Sequence, residues 1–584
     1  MDDQNRNVII ALVISFAILF GFQLVQSRFA PPPKPKPEQH QTQAQKTAPA
    51  QGHGQAPAPS VGGEAAKPLA QVIAEQPRVK IVTPRIKGSI NLVGAQLDDL
   101  TLRDYRETVD PKSPDIVLLA PDGTAHPYYA DFGWVGPKDG SVKLPDDKTR
   151  WTASAQELTP EQPVDLTWDN GQGLRFVRHY AVDDNYMFTV TQTVENQSGH
   201  PVSVANFGRI VRVGEPPVSK TYLLHEGPIA VLNGILHDGG WFAQPDRYNY
   251  ADVKKAPVRD TSIGGWLGFT DKFWLTALIP PQQEKVVTEI RFNGEGHREV
   301  YQADYTGAFQ TVAPNGKVSS ADRIFAGAKE VHLLDRYESQ LGIPRFDRAI
   351  DFGLFYWITK PIFLTLDFFY QQIGNFGVAI MLLTVLIKLI FFPLANKSYR
   401  AMAKMKTMQP EIQKLKERFG EDKARLNQET MALYKRVGAN PMAGCLPIFI
   451  QIPVFYSLYK VLYVTIEMRH QPFFGWIHDL SAPDPTSFVN LFGLLPFTPP
   501  HISFLMIGLW PIIMGCTQFL QQKLSPQSMD PMQAKMMMLL PIVFTYMLSQ
   551  FAAGLVIYWS WNNLLSIAQQ WVILRRATAA PATA

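Results

Sequence analysis

Apolar positions are distributed unevenly along this 584-residue chain. From Val8 to Val25 they form an 18-residue run interrupted only by Ser15 and Gln23. As a helix that run rises about 27 Å, enough to span a bilayer core. It is long for the apolar stretch of a cleaved signal peptide, and Ser27-Arg28-Phe29-Ala30-Pro31 lacks a small-x-small cleavage site. An uncleaved anchor is therefore expected over residues 1–27. Residues 28–78 carry almost no large apolar side chains; PPPKPKP at 31–37 leads into Gln-, Ala- and Pro-rich sequence that predicts a linker.

From 79 to 335 the apolar residues alternate in short runs broken by turn residues. RFVRHY at 175–180 and MFTVTQTV at 187–194 flank Asp183-Asp184-Asn185, a hairpin signature whose spacing recurs. A large antiparallel β-sandwich is predicted. It carries no clustered acid, base and nucleophile, so a scaffold or docking domain is expected there rather than an enzyme.

Residues 336–584 are predicted to form a helical core. An amphipathic stretch at 344–371 places Trp357, Phe363, Phe368, Phe369 and Tyr370 beside Lys360 and Asp367, which suits an interfacial helix. Five apolar segments then read as transmembrane spans, at about 373–395, 441–466, 502–521, 536–550 and 554–574. Phe551-Ala552-Ala553 alone separate the last two, which demands a tight turn, and Pro541 interrupts the first of that pair. Between the first two spans, residues 397–437 are highly charged. Met402, Met405, Ile412, Leu415 and Phe419 recur at helical spacing, as do Leu426, Thr430, Leu433 and Val437. Gly420 suits a helix stop, and Glu421 and Asp422 suit a start, so a helical hairpin is predicted. Pro410 is expected to kink its first arm or to open its regular part.

Lys and Arg in short loops set orientation. Residues 396–440 hold 11 basic residues against 5 acidic ones, whereas 467–500 hold only Arg469. Lys523 and Lys535 flank the next short loop, and Arg575 and Arg576 follow the last span. The hairpin and both termini are therefore expected in the cytoplasm, with the large domain outside it.

Composition mainly excludes. A formal net charge of +4 and the lack of a basic, aromatic-interleaved stripe argue against nucleic acid, DNA included. The two cysteines, Cys445 and Cys516, both lie in apolar stretches, so no disulfide framework exists. Neither HExxH nor GxxxxGK[ST] occurs. No catalytic residue, metal site or small-molecule cofactor is expected.

The chemistry concentrates on one cation. Lys388 lies about seven residues from the cytoplasmic end of its span, roughly 10 Å deep. A central charge costs about 2.5–3.5 kcal/mol on insertion scales, so it should face a wet or polar interior. Snorkelling to the interface is the alternative, and depth alone leaves both open. Thr384 stands one turn away on the same face. In the last span Trp559, Asn563, Ser566 and Gln570 form one helical face, widened by Asn562 and Gln569. Gln451 and Ser457, with Thr517 and Gln518, are further candidates for a substrate groove, although such residues also bond between packed helices. The five spans contain no Asp or Glu, so neither a proton relay nor a carboxylate protease pair is evident. Lys460, near the outer end of its span, is expected to snorkel.

Several motifs run in one order: Thr359-Lys360-Pro361, FFPL at 391–394, the AKM and QPEIQ pieces of the hairpin, NPMAGCLPIFIQIP at 440–453, WIHDLS at 476–481, DPMQAKMM at 530–537 and GLVIYW at 554–559. Together they resemble the YidC membrane protein insertase family, and Gly264-Gly265-Trp266 with Phe273-Trp274 resemble its periplasmic domain in the Gram-negative branch. The resemblance implies a polar groove open to cytoplasm and lipid, with a basic residue in the first core span as its central feature. Lys388 occupies that position, where many relatives carry Arg; Lys lacks the bidentate fork but keeps the charge. The implied partners are nascent membrane proteins, membrane lipids, the ribosome and the Sec translocon, in the bacterial inner membrane. A small-solute transporter is the rival reading, and internal repeats, which would favour it, are not seen.

Overall fold

The computed structural model describes residues 55–58, 66–137, 140–216, 224–237, 248–295, 298–420, 422–437, 446–495, 497, 506–524 and 531–579. The expected anchor at Val8–Val25 lies outside these, as does most of the 28–78 stretch.

Two sheets of eleven and nine strands enclose the core of the β-rich domain. The predicted hairpin is there: Leu174–Val182 pairs antiparallel with Met187–Asn196, Phe188 opposite Val182. Asp183 closes its turn by accepting from the backbone N–H of Asn185 at 2.9 Å and of Met187 at 3.0 Å. Burial alternates along both strands, with Phe176, Tyr180, Phe188 and Val190 inward. Pairing is antiparallel throughout the two sheets except for Arg78–Val82 against Glu157–Leu158, which is parallel. Two short helices, α1 (Leu69–Ala74) and α2 (Tyr250–Lys255), accompany the sheets. The Gly-Gly-Trp motif has a steric basis. Gly265 has φ +89, and a Cβ there would fall 2.2 Å from the Val231 carbonyl oxygen. The tight turn lets fully buried Trp266 donate its Nε1–H to the Pro344 carbonyl at 3.0 Å.

The helical part follows as α3 (Val331–Leu341), a 3-10 turn at Phe346–Ala349, α4 (Tyr356–Ile373), α5 (Phe376–Ile390), α6 (Phe392–Phe419), α7 (Lys423–Val437), α8 (Leu446–Val464), α9 (Leu509–Leu524), α10 (Pro531–Leu548) and α11 (Ala553–Ala579). On α4 the exposed side carries Trp357, Leu364 and Phe368, while Thr359, Ile362, Phe363 and Leu366 are buried. Gly374, at φ +73, ends α4, and Asn375 caps α5 by accepting from Val378 N–H at 3.1 Å. The first expected span is not one straight helix. α5 ends at Ile390 and α6 leaves it at 65°. Pro393 accounts for the break, because its ring and missing N–H cannot continue the α5 ladder. By contrast α6 runs through Pro410 without interruption.

Among the described residues no single helix is long and apolar enough to cross a membrane; the bent pair of Phe376–Ile390 with Phe392–Ala401 meets length and composition together. α6 and α7 pack through Met408, Ile412 and Leu433, with Leu415 and Tyr434 alongside. Asp422 starts α7 by accepting from Arg425 N–H at 3.0 Å. Between α10 and α11 only residues 549–552 intervene. Pro541 sits inside α10, where Thr545 Oγ1 donates to its carbonyl at 2.8 Å.

Where the sheets meet the helices, charges are paired. Lys360 bridges Asp335 at 2.7 Å and Asp347 at 2.8 Å. His332 meets Asp367 at 2.9 Å, and Glu467 accepts from Val331 N–H at 2.8 Å. Burial pushes the Glu467 carboxyl up to about 8. Arg469 Nη2 donates to the Arg106 carbonyl at 2.6 Å. Lys460 does not snorkel: it is 1% exposed and pairs with Asp351 at 2.8 Å. Depth alone suggested snorkelling; a carboxylate more than a hundred residues earlier supplied the buried alternative.

Candidate functional site

Several polar residues of the bundle lie along one side of α11. Trp559, Asn563, Ser566 and Gln570 recur there with steps of four, three and four, so the helix turns each toward a neighbouring element. Lys388 comes from the last turn of α5, just before the 65° bend. Its Nζ donates to Ser566 Oγ at 2.7 Å, and Ser566 in turn donates to the Asn562 carbonyl at 2.8 Å. Among the described residues no carboxylate lies within ion-pair distance of Lys388. The cation therefore rests on one neutral acceptor.

Asn563 is buried and donates through Nδ2 to Thr517 Oγ1 on α9 at 3.3 Å. Gln518 Oε1, Gln569 Nε2 and Gln570 Oε1 are buried without a hydrogen-bond partner. Buried amides left unsatisfied in this way each cost about 1–3 kcal/mol, and water or a visiting peptide relieves that cost. These amide atoms on α9 and α11, with the Lys388 ammonium bonded to Ser566, make the bundle interior polar in composition.

The sequence candidates do not all converge. Thr384 is buried on α5, but its hydroxyl returns to the Ile380 carbonyl at 2.7 Å. Gln451 on α8 donates to the Tyr558 hydroxyl. Trp559 packs edge-on against Phe455 with ring centres 4.7 Å apart. Ser457 meets Thr359 Oγ1 at 3.0 Å, which ties α8 to α4. Lys388 with Ser566 and Asn563 with Thr517 thus form two bonded pairs on α11, while Gln451, Trp559 and Ser457 join other pairs of helices. Sequence reasoning missed Tyr399, which lies against Ser566 and Gln570. It fell in a segment read as hairpin, and only the bend after Ile390 brings it back to α11.

The outer faces contrast with this interior. Leu389, Ile390, Ile452, Leu520, Ile542 and Trp571 are exposed. Exposed large apolar side chains in this number suit a surface that faces lipid. No three His, Cys, Asp or Glu side chains among the described residues gather as a metal cluster. A helical bundle with apolar residues on its outside and the Lys388 ammonium bonded to a hydroxyl inside has the character of a membrane-embedded bundle.

Sequence comparison carries the assignment further. Residues 78–365 match the YidC periplasmic domain, and residues 368–580 match the 60Kd inner membrane protein family. A membrane protein insertase YidC from Granulibacter bethesdensis is 49% identical over 581 residues, covering 98% of each chain. One from Methylobacterium sp. (strain 4-46) is 51% identical over 529 residues, covering 88% of this chain and 83% of that one. A solved structure of an active YidC insertase covers 84% of this chain and 92% of its own at 17% identity, with a TM-score of 0.34, and adds no weight beyond the sequence relatives. The chain belongs to the YidC membrane protein insertase family. Its β-rich domain is the family's periplasmic domain, followed by the helical inner-membrane part.

Proposed function

We propose that this chain inserts nascent proteins into the bacterial inner membrane through the groove centred on Lys388, without catalysing a covalent reaction. The observation that carries the reading is the Lys388 ammonium, which among the described residues donates to Ser566 and meets no carboxylate, in a bundle whose expected spans contain no Asp or Glu. A cation in that position attracts the acidic residues of a short translocated tail. The polar cleft shortens the apolar barrier, and transfer of the substrate's apolar segment into lipid supplies the driving force.

The topology belongs to the same proposal: an anchor at 1–27, a linker at 28–78, the periplasmic sandwich at 79–335, and a core at 336–584 with five spans and both termini cytoplasmic. In it the α6–α7 hairpin stands in the cytoplasm, where its basic surplus meets anionic lipid or the ribosome. The Sec translocon is a partner for larger substrates. Purified protein in liposomes tests the reading. It should insert a small two-span substrate with an acidic tail while leaving small-solute flux at the background level. Solute flux without insertion would replace this proposal with a transporter.

A further inference from the structure

The larger sheet buries charge on the face turned away from the sandwich core. On the strand Tyr128–Val135, Ala130 and Phe132 join the core, so Asp131 points the other way. The same alternation puts Arg209 of Val202–Val213, Gln302 and Asp304 of Arg298–Thr306, and Glu289 and Arg291 of Lys285–Glu295 on that second face. Register aligns Asp131, Arg209, Asp304 and Glu289 in one row across four strands, with Arg291 opposite Gln302 in the next. All are buried or nearly so: Asp304 is 2% exposed and Gln302 0%.

A short piece of the Pro-, Gln- and Ala-rich stretch lies on this row. Arg209 holds Asp131 with two bonds of 2.7 Å and donates a third N–H to the Pro57 carbonyl at 2.8 Å. Arg291 donates to the Ala56 carbonyl at 2.9 Å and to that of Pro57 at 3.3 Å. Gln302 Nε2 adds a bond of 3.4 Å to Pro57 and one of 2.7 Å to Asp304. Gln55 Nε2 reaches Glu289 at 3.0 Å, and Ala56 is 3% exposed while Pro57 and Ala58 are exposed. Gln302 Oε1 and Arg291 Nε remain buried without partners.

We propose that this charged face is a binding site for an extended, proline-containing peptide, and that Gln55–Ala58 of the chain's own linker occupies it. The ions of the row are paired, Arg209 with Asp131 at 2.7 Å and Arg291 with Glu289 at 3.7 Å, but each guanidinium keeps further N–H groups, and a buried donor needs an acceptor. Three donors converge on two successive main-chain carbonyls. Proline suits the second position, since it holds an extended φ and brings no N–H that would need a partner. Recognition through carbonyls reads mainly backbone shape, apart from the small residue the seat at 56 requires and the Gln55 amide that meets Glu289. The site fastens the linker to the domain and is open to another extended polypeptide that competes for it.

Full-length protein with Cys445→Ser and Cys516→Ser tests this by maleimide labelling of Ala56→Cys beside Ala58→Cys. Position 56 should label at least about tenfold more slowly, the loss expected for charge-assisted bonds of this kind. Adding Arg291→Gln should bring the two rates together. A synthetic peptide of residues 52–61, supplied at concentrations matching a tethered segment, about millimolar, should also speed labelling at position 56. Equal rates at 56 and 58 would overturn the proposal. So would slow labelling at 56 that millimolar peptide leaves unchanged, a result that does not depend on how Arg291→Gln folds. Neither outcome bears on Lys388.

Discussion

Lys388→Glu is the most demanding perturbation of the proposed groove. In the folded chain the ammonium has a single acceptor, Ser566 Oγ at 2.7 Å, and no carboxylate partner among the described residues. An acidic substrate residue that displaces Ser566 and comes within about 4 Å gains about 4 kcal/mol of Coulomb energy at an effective dielectric near 20. Part of that offsets desolvation of the carboxylate, and hydrogen bonds to charged groups net about 1.5–3 kcal/mol. At about 1.4 kcal/mol per tenfold, Lys388→Ala should slow insertion of an acidic-tailed substrate by about 10- to 150-fold. Lys388→Glu should slow it further by repulsion, and Lys388→Arg should stay near wild type, because the Ser566 contact needs one donor rather than a fork. The assay is proteoliposome insertion of two matched substrates, one with Asp or Glu in the tail and one with Asn or Gln. The neutral tail should lose little in any variant. Equal losses for both tails would refute the electrostatic role and leave Lys388 as a packing element tied to Ser566.

Three other outcomes are expected. Lys460→Met should destabilise the junction of sheets and helices by about 3 kcal/mol, the low end for a broken buried pair, since Asp351 keeps 23% side-chain exposure and can rehydrate; denaturant unfolding in detergent measures it, and an unchanged midpoint would show the pair to be neutral. Glu467 has a folded pKa of about 8, above its ordinary 4.5, so its contribution is complete below about 4.5 and is lost as pH rises through about 8. Glu467→Gln should flatten that dependence and exceed wild type in stability at alkaline pH; parallel pH profiles for the two proteins would refute it. Ser319→Cys and Leu494→Cys, both at exposed positions, should react with an impermeant thiol reagent on intact spheroplasts, whereas the likewise exposed Met431→Cys should react only after lysis; labelling at 431 without lysis would invert the proposed topology.

Patterns set by neighbours in sequence were legible before any fold was known. The alternation in 175–180 and 187–194, with Asp183-Asp184-Asn185 between, predicted a hairpin, and Leu174–Val182 pairs with Met187–Asn196. The four-three-four spacing of Trp559, Asn563, Ser566 and Gln570 placed them along one side of α11, because helical period is a local property. The motifs of the core named the family, since they survive as contiguous strings. Partners distant in the chain were not legible. Depth suggested snorkelling for Lys460, and only packing brought Asp351 to it. Hydropathy drew one span through 373–395, yet the chain bends by 65° after Ile390, where Pro393 cannot continue the ladder, and α6 brings Tyr399 to Ser566. The row of Asp131, Arg209, Asp304 and Glu289 is scattered over some 170 residues of sequence, a span only sheet register collapses. Composition and period fixed which elements form and which faces are apolar. Which charge answers which is a long-range question, decided by register and packing because an ion pair depends on distance in space and not on separation along the chain.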